Sequence, residues 1–170
     1  MTMFHSSRFA SFILMATANL ILVSGCKPDL LPGTNIEDTS ENRAVVEFVE
    51  EYRTAVESRS AEAVLNLVAD DYFEDQGTAT DEDDYGIEKL REDLDTHFKH
   101  ADVIQLKVEV QHISYYPEKE LVHVYYRYLQ RAHLKLPAGN QWVTDSDTNR
   151  LVLRQQGMSP ADGLVIISGL

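Results

Sequence analysis

Between Phe98 and Ile104 the apolar periodicity of this chain changes from helical to alternating, and that change constrains the fold more than any other feature. Upstream, Ile87, Leu90, Leu94 and Phe98 recur at three- and four-residue spacing with Glu88, Lys89, Arg91, Glu92 and Asp95 between them. This is the stripe of an amphipathic helix. Downstream, Ile104, Leu106, Val108 and Val110 alternate with Gln105, Lys107, Glu109 and Gln111, so one face of a strand is buried and the other wet.

Two more helices precede this switch. Ser40 is positioned to cap a helix carrying Val45, Phe48, Val49, Tyr52, Ala55 and Val56 on one side, with Glu47, Glu50, Glu51 and Arg53 on the other. Ser58-Arg59-Ser60 ends it and offers a new cap for a shorter helix bearing Val64, Leu65, Leu67 and Val68. Tyr72-Phe73 closes this unit as an extended turn, and the polar stretch from Gln76 to Gly86 reads as a loop.

After the switch the alternation slips at Gln111-His112, beyond which Ile113 and Tyr115 become the apolar positions. A slip of one residue predicts a β-bulge there. Pro117 to Glu120 supplies a turn, and Val122, Val124, Tyr126 and Tyr128 return as a second strand. Opposing Ile113 to Val124 and Val110 to Tyr126 keeps every apolar side chain on one face. Turns at Pro137 to Asn140 and Gly157 to Gly163 then separate a third strand containing Leu151 and Leu153 from a short last one, Leu164 to Ser168. The expected fold class is α+β, three helices followed by a curved antiparallel sheet of four strands.

The N-terminus is of a different kind. Met1 to Arg8 is weakly basic, Phe9 to Val23 is an apolar run of signal-peptide rather than membrane-spanning length, and Ser24-Gly25 offers a cleavage site. Cys26, the chain's one cysteine, follows directly. Val23-Ser24-Gly25-Cys26 resembles the lipobox of bacterial lipoproteins, which implies acylation at Cys26 and anchoring in a lipid bilayer. Lys27, rather than an aspartate, follows the cysteine, so the expected address is the cell envelope at the outer membrane, facing the periplasm. The organisation is then a leader over 1–25, a lipidated cysteine and tether over 26–39, and one domain over 40–170.

Charge and cysteine usage narrow the partners. There are 15 basic against 28 acidic residues, a net charge of −13 at pH 7, and the leader removes only Arg8 from that count. Nucleic acid is not an expected partner, because it needs a basic patch to displace counterions. With no second cysteine, intramolecular disulfides are excluded and stability must come from packing.

Tyr52-Arg53-Thr54-Ala55-Val56, Ala61 to Leu67, Val68-Ala69-Asp70-Asp71-Tyr72-Phe73 and Gly86-Ile87-Glu88-Lys89-Leu90 stand in the order and spacing of a known family. With Asn149 to Arg154 and Ile166 to Leu170, the stretch from Asn42 to Leu170 resembles the nuclear transport factor 2-like superfamily, including its SnoaL-like and ketosteroid isomerase-like branches. The resemblance implies a cone, a cystatin-like α+β roll whose sheet wraps around the long first helix and encloses a pocket. It also implies homodimers through the outer sheet face. In the isomerase branch it aligns Tyr52 with an oxyanion donor, Asp75 with a proton-moving carboxylate, and the neighbourhood of Asn149 with a later acid. Asparagine can donate a hydrogen bond but cannot be that acid, and Asp147 lies two residues earlier on the same strand face.

Tyr126 and Tyr128 belong to the concave face by periodicity, and His112 at the bulge is a further candidate for the cavity. No metal site is expected. His112, His123 and His133 lack the short spacings of zinc ligands. Asp81, Asp83, Gly86 and Glu92 match a calcium-loop spacing, but Tyr85 stands at a ligand position and a helix begins at Ile87. No phosphate loop or serine elbow is present, and no cofactor is expected. The function expected is non-catalytic binding of a small apolar ligand or a protein partner. A cofactor-independent isomerase or dehydratase using Tyr52 and Asp75 is the alternative.

Overall fold

The structure is a computed structural model in which residues 29–75, 82–137 and 139–170 are described; the leader, Cys26 and Asp81 lie outside them. Three helices pack on one face of a curved antiparallel sheet of four strands. Helix α1 spans Ser40–Glu57 and buries Val45, Phe48, Val49, Ala55 and Val56. Its N-cap is Thr39 rather than Ser40. The Thr39 hydroxyl accepts the Asn42 N–H at 3.1 Å, while the Ser40 hydroxyl donates to Glu41 instead. Ser60 caps α2, Ala61–Leu65, as its sequence predicts, accepting the Ala63 N–H at 3.1 Å. Beyond α2 the chain turns at Asn66-Leu67, and Val68 bridges in parallel to Ile166.

A small two-stranded sheet follows, formed by β1, Phe73–Glu74, and β2, Tyr85–Gly86. Neither was expected as a strand, because two residues are too short to express a period of two. Helix α3, Ile87–His100, leads into β3, Ala101–Tyr116. Strands β4, Leu121–Leu134, β5, Gln141–Gln155, and β6, Leu164–Ser168, complete the large sheet in the order β3-β4-β5-β6.

The β3–β4 register follows the alternation. Ile113 opposes Val124 and Val110 opposes Tyr126, with the irregularity between Val110 and His112 leaving Gln111 as the extra residue. A second irregularity, between Ala101 and Val103, lies where the helix passes into the strand. Seven side chains that are essentially inaccessible tie helices to sheet: Val45, Val64, Val122, Val124, Leu151, Leu153 and Ile166. Polar ties reinforce the seam. Glu57 takes the Leu106 N–H at 2.7 Å on one oxygen and pairs with Arg53 on the other, and Arg59 donates to the Ala101 carbonyl at 2.7 Å.

The segment expected as a tether is folded from Asp29 onward. Leu30 bridges to Glu37, and Leu31 and Ile36 are buried in the core. Two apolar residues five apart match neither periodicity, so no pattern announces this turn, yet each removes apolar surface from water.

Candidate functional site

Tyr52 lies on the core side of α1, one turn beyond Phe48 and Val49. Its ring packs against the core, and its hydroxyl makes no hydrogen bond among the described residues. Opposite it, Tyr126 and Tyr128 lie on the concave face of β4, with ring centroids 6.4 Å apart. Leu106 from β3, Gln130 from β4, and Asp145 and Asn149 from β5 complete a cavity of about 160 Å³ with Gly169 and Leu170. The strand register produces this grouping, since Tyr126 opposes Asn149, Tyr128 opposes Asp147 and Gln130 opposes Asp145.

Every hydroxyl here is held protonated. Burial raises Tyr52 well above the ordinary phenol range, with further contributions from Tyr126 and Tyr128. Burial pushes Tyr126 up to about 12, opposed by a hydrogen bond from Asn149. Tyr128 is raised by burial first, then by its hydrogen bond to Asp145 at 2.9 Å and by the charges of Asp145 and Asp147. No lysine, arginine or histidine lines the cavity.

Gly169 and Leu170 each line a second cleft besides this cavity. Leu170 also lines a cleft of about 290 Å³ with Tyr52, Val64, Tyr85, Leu90, Asp93, Leu94 and His97. Gly169 also borders a third cleft, about 330 Å³, with Glu74, Asp75, Tyr125, Asn149, Arg150 and Ser168. The two residues are held from several sides. Glu74 accepts the Gly169 N–H at 2.5 Å and the Ser168 hydroxyl at 3.1 Å, and Asn149 donates to the Gly169 carbonyl at 3.3 Å. The Tyr85 hydroxyl donates to the Leu170 carbonyl at 2.5 Å, and the Tyr72 hydroxyl accepts the Leu170 N–H at 3.1 Å.

The fold therefore brings Tyr52, Tyr126, Tyr128 and Asn149 together and leaves other sequence candidates apart. Asp75 lines the third cleft, which shares Asn149 and Gly169 with the Tyr52 cavity but does not include Tyr52. Asp147 acts on Tyr128 through its charge, whereas Asp145 supplies the carboxylate that lines the cavity. His112 is not in the cavity. The extra residue of the bulge is Gln111, so His112 stays paired with Tyr125 on the convex side, 5.9 Å from its ring, and bonds Ser114 at 2.9 Å. Asp145 shares the period-two ladder of Asp147 and Asn149, and that ladder was the available signal for it. Gln130 continues the ladder of Tyr126 and Tyr128 in the same way, whereas Tyr85 and the Gly169-Leu170 pair carried no such signal.

Two features lie away from this site. A groove of about 590 Å³ runs between α1 and the Pro160 turn and holds none of the candidate residues. Among the described residues no three His, Cys, Asp or Glu side chains cluster as a metal site.

No known family profile matches the sequence, and no curated protein matches it. Solved structures do share the fold. A nuclear transport factor 2-like superfamily protein from Salmonella enterica serovar Typhimurium superposes with a TM-score of 0.58 at 13% identity, covering 75% of this chain and 86% of that one. A ketosteroid isomerase-like protein from Erwinia carotovora atroseptica gives 0.59 at 14%, covering 78% and 95%. A type 2 hexachlorocyclohexane dehydrochlorinase gives 0.57 at 11%, covering 75% and 81%. The fold is the nuclear transport factor 2-like α+β cone, and at these identities the likeness is one of fold alone.

Proposed function

We propose that this chain is a lipid-anchored envelope protein whose cone binds a small ligand without turning it over. The observation carrying the binding reading is Tyr52, a half-buried residue whose hydroxyl has no hydrogen-bond partner among the described residues and which lines a cavity with two further tyrosines. A hydroxyl that solvent satisfies exchanges that solvent for a donor or acceptor on a ligand. Native mass spectrometry of the full chain, with analysis of its organic extract, tests the reading. A small molecule released on denaturation is expected. An empty chain, joined to no thermal stabilisation by extracts of its host, overturns it.

The anchoring reading rests on Val23 to Cys26, and no described helix is long and apolar enough to cross a membrane. With Leu30 already bridged to Glu37, acylation at Cys26 holds the domain close to the bilayer surface. Cys26→Ala is expected to move the chain from the membrane to the soluble fraction, and retention in the membrane refutes lipidation. Exposed Tyr125, Leu129 and Trp142 on the convex face suit homodimerisation, which sedimentation measures.

A second reading, cofactor-independent isomerisation or elimination, draws on the same hydroxyl as an oxyanion donor. Neighbours of this fold include a ketosteroid isomerase-like protein and a dehydrochlorinase. It requires a carboxylate at the substrate, and Asp75 lines the neighbouring cleft, which shares Asn149 and Gly169 with the Tyr52 cavity. Turnover of an extracted ligand that survives Tyr52→Phe refutes the role given to Tyr52.

A further inference from the structure

We infer that the ligand of the cone cavity is a small organic cation, an alkylated or protonated amine; this rests on the reading of the cavity as a binding site. Three phenol rings, Tyr52, Tyr126 and Tyr128, line one small cavity that is open on its β5 side. Aromatic rings present negative faces, and a cation held among them is attracted without losing all its favourable surroundings. Asp145 adds a full negative charge to the wall, Asp147 stands beside it opposite Tyr128, and no basic side chain lines the space. An anionic ligand would meet two carboxylates and nothing to offset them.

Two independent features turn this wall into a site. Tyr52 lines the cavity and its hydroxyl has no hydrogen-bond partner among the described residues, so it remains available to a hydroxyl or amine on the ligand. Asp145 already receives the Tyr128 hydroxyl at 2.9 Å, which fixes that ring and orients the carboxylate without neutralising it. The space, about 160 Å³, is below the range of drug-sized pockets and suits a head group such as trimethylammonium rather than a polycyclic skeleton. The net charge of −13 favours capture of a cation from solution.

The test is a titration of the full chain with choline, with its uncharged carbon isostere 3,3-dimethylbutan-1-ol, and with phosphocholine, followed by calorimetry and the NMR signals of the tyrosine rings. Choline is expected to shift the rings of Tyr52, Tyr126 and Tyr128 and to bind roughly tenfold tighter than the alcohol. Phosphocholine, whose phosphate meets Asp145 and Asp147, is expected to bind more weakly than choline. Tyr128→Phe keeps an aromatic face and should retain choline, whereas Tyr128→Leu should lose it. Asp145→Asn, a surface change that leaves the core intact, should weaken choline several-fold and leave the alcohol unaffected.

Equal or tighter binding of the alcohol overturns the cation inference while the pocket reading stands. Absence of ring shifts with every probe overturns the inference too, and the extract analysis then decides the pocket reading separately. Tighter binding of phosphocholine than choline overturns the charge argument and points to a zwitterionic lipid head group. If Tyr128→Leu does not fold, Asp145→Asn with unchanged choline affinity is sufficient refutation.

Discussion

Gly169→Ala tests how firmly Gly169 is held against β5. Gly169 has φ +102°, a region that side chains other than glycine rarely adopt, and forcing alanine there costs about 1–3 kcal/mol. Space adds to conformation. A Cβ at this position would overlap the Arg150 carbonyl oxygen and lie 3.0 Å from the Arg150 carbonyl carbon and the Leu151 Cα. These are backbone atoms of β5 and cannot swing aside, so Gly169 must pivot away from the strand. Pivoting strains the bonds from Gly169 to Glu74 and Asn149, each worth about 1 kcal/mol. Partial relaxation makes the terms less than additive, and the expected loss is ~2–4 kcal/mol. Urea unfolding should show a lower midpoint at an unchanged slope. Ser168→Ala is the control, losing one hydrogen bond to Glu74 and ~1 kcal/mol. A Gly169→Ala loss no larger than that of Ser168→Ala would refute the claim that Gly169 is held by backbone contact.

Three further outcomes follow from the same geometry. Tyr52→Phe should leave stability within about 1 kcal/mol of the parent, because the hydroxyl removed has no internal partner, while ligand binding falls; a large loss of stability contradicts the unpartnered assignment. Leu31→Ala should cost about 2–3 kcal/mol in urea unfolding, since Leu31 is buried although it precedes the first helix; a neutral result returns that segment to the status of a tether. Alkali should destabilise the fold. Tyr126 and Tyr115 are each pushed up to about 12, and Tyr52 and Tyr72 are raised further, all chiefly by burial, against an ordinary value of 10.0. A raised phenol pKa favours the protonated fold, so this stabilisation is complete below pH 10 and is lost as pH rises through 10 toward 12. Urea midpoints that stay level across that interval, with phenolate absorbance already developed, would contradict the burial of these rings.

Strand pairing was readable in detail because alternation is unambiguous wherever one face is aliphatic. From Ile104 to Tyr115 and from Val122 to Tyr128 a slip of one residue would turn apolar side chains to water, and the bulge at Gln111 shows as a break in phase. Strand β5 was readable only near Leu151 and Leu153, since Gln141–Arg150 is exposed on both faces and carries no aliphatic period. The pairing of Phe73 with Gly86 rests on tertiary packing and leaves no local trace. Periodicity placed Tyr126 and Tyr128 on the concave face and Tyr52 on the core side of α1, all within regular elements, while the role expected of Tyr52 came from the family resemblance. The side His112 takes depends on which residue of the bulge is extra, and Asp75 came from the family resemblance, with no period around it to place it.

The position of the cavity follows from a gradient along β4 and β5. Reading outward from the core, Val122 opposes Leu153 and Val124 opposes Leu151; then Tyr126 opposes Asn149, Tyr128 opposes Asp147, and Gln130 opposes Asp145. Aliphatic pairs fill the space beneath α1, because every atom they present can be buried without a partner. Phenols come next, with apolar bodies for the packed side and hydroxyls for the open one. Carboxylates and amides come last, where water or a ligand can satisfy them. A core that ended abruptly would leave either a dry wall or an unpaired charge at the boundary. Here the transition takes three residue pairs, and Tyr52 on α1 faces its middle. The same composition that caps the core thus sets ring faces beside carboxylates, and that neighbourhood separates a cation from a neutral molecule of equal size.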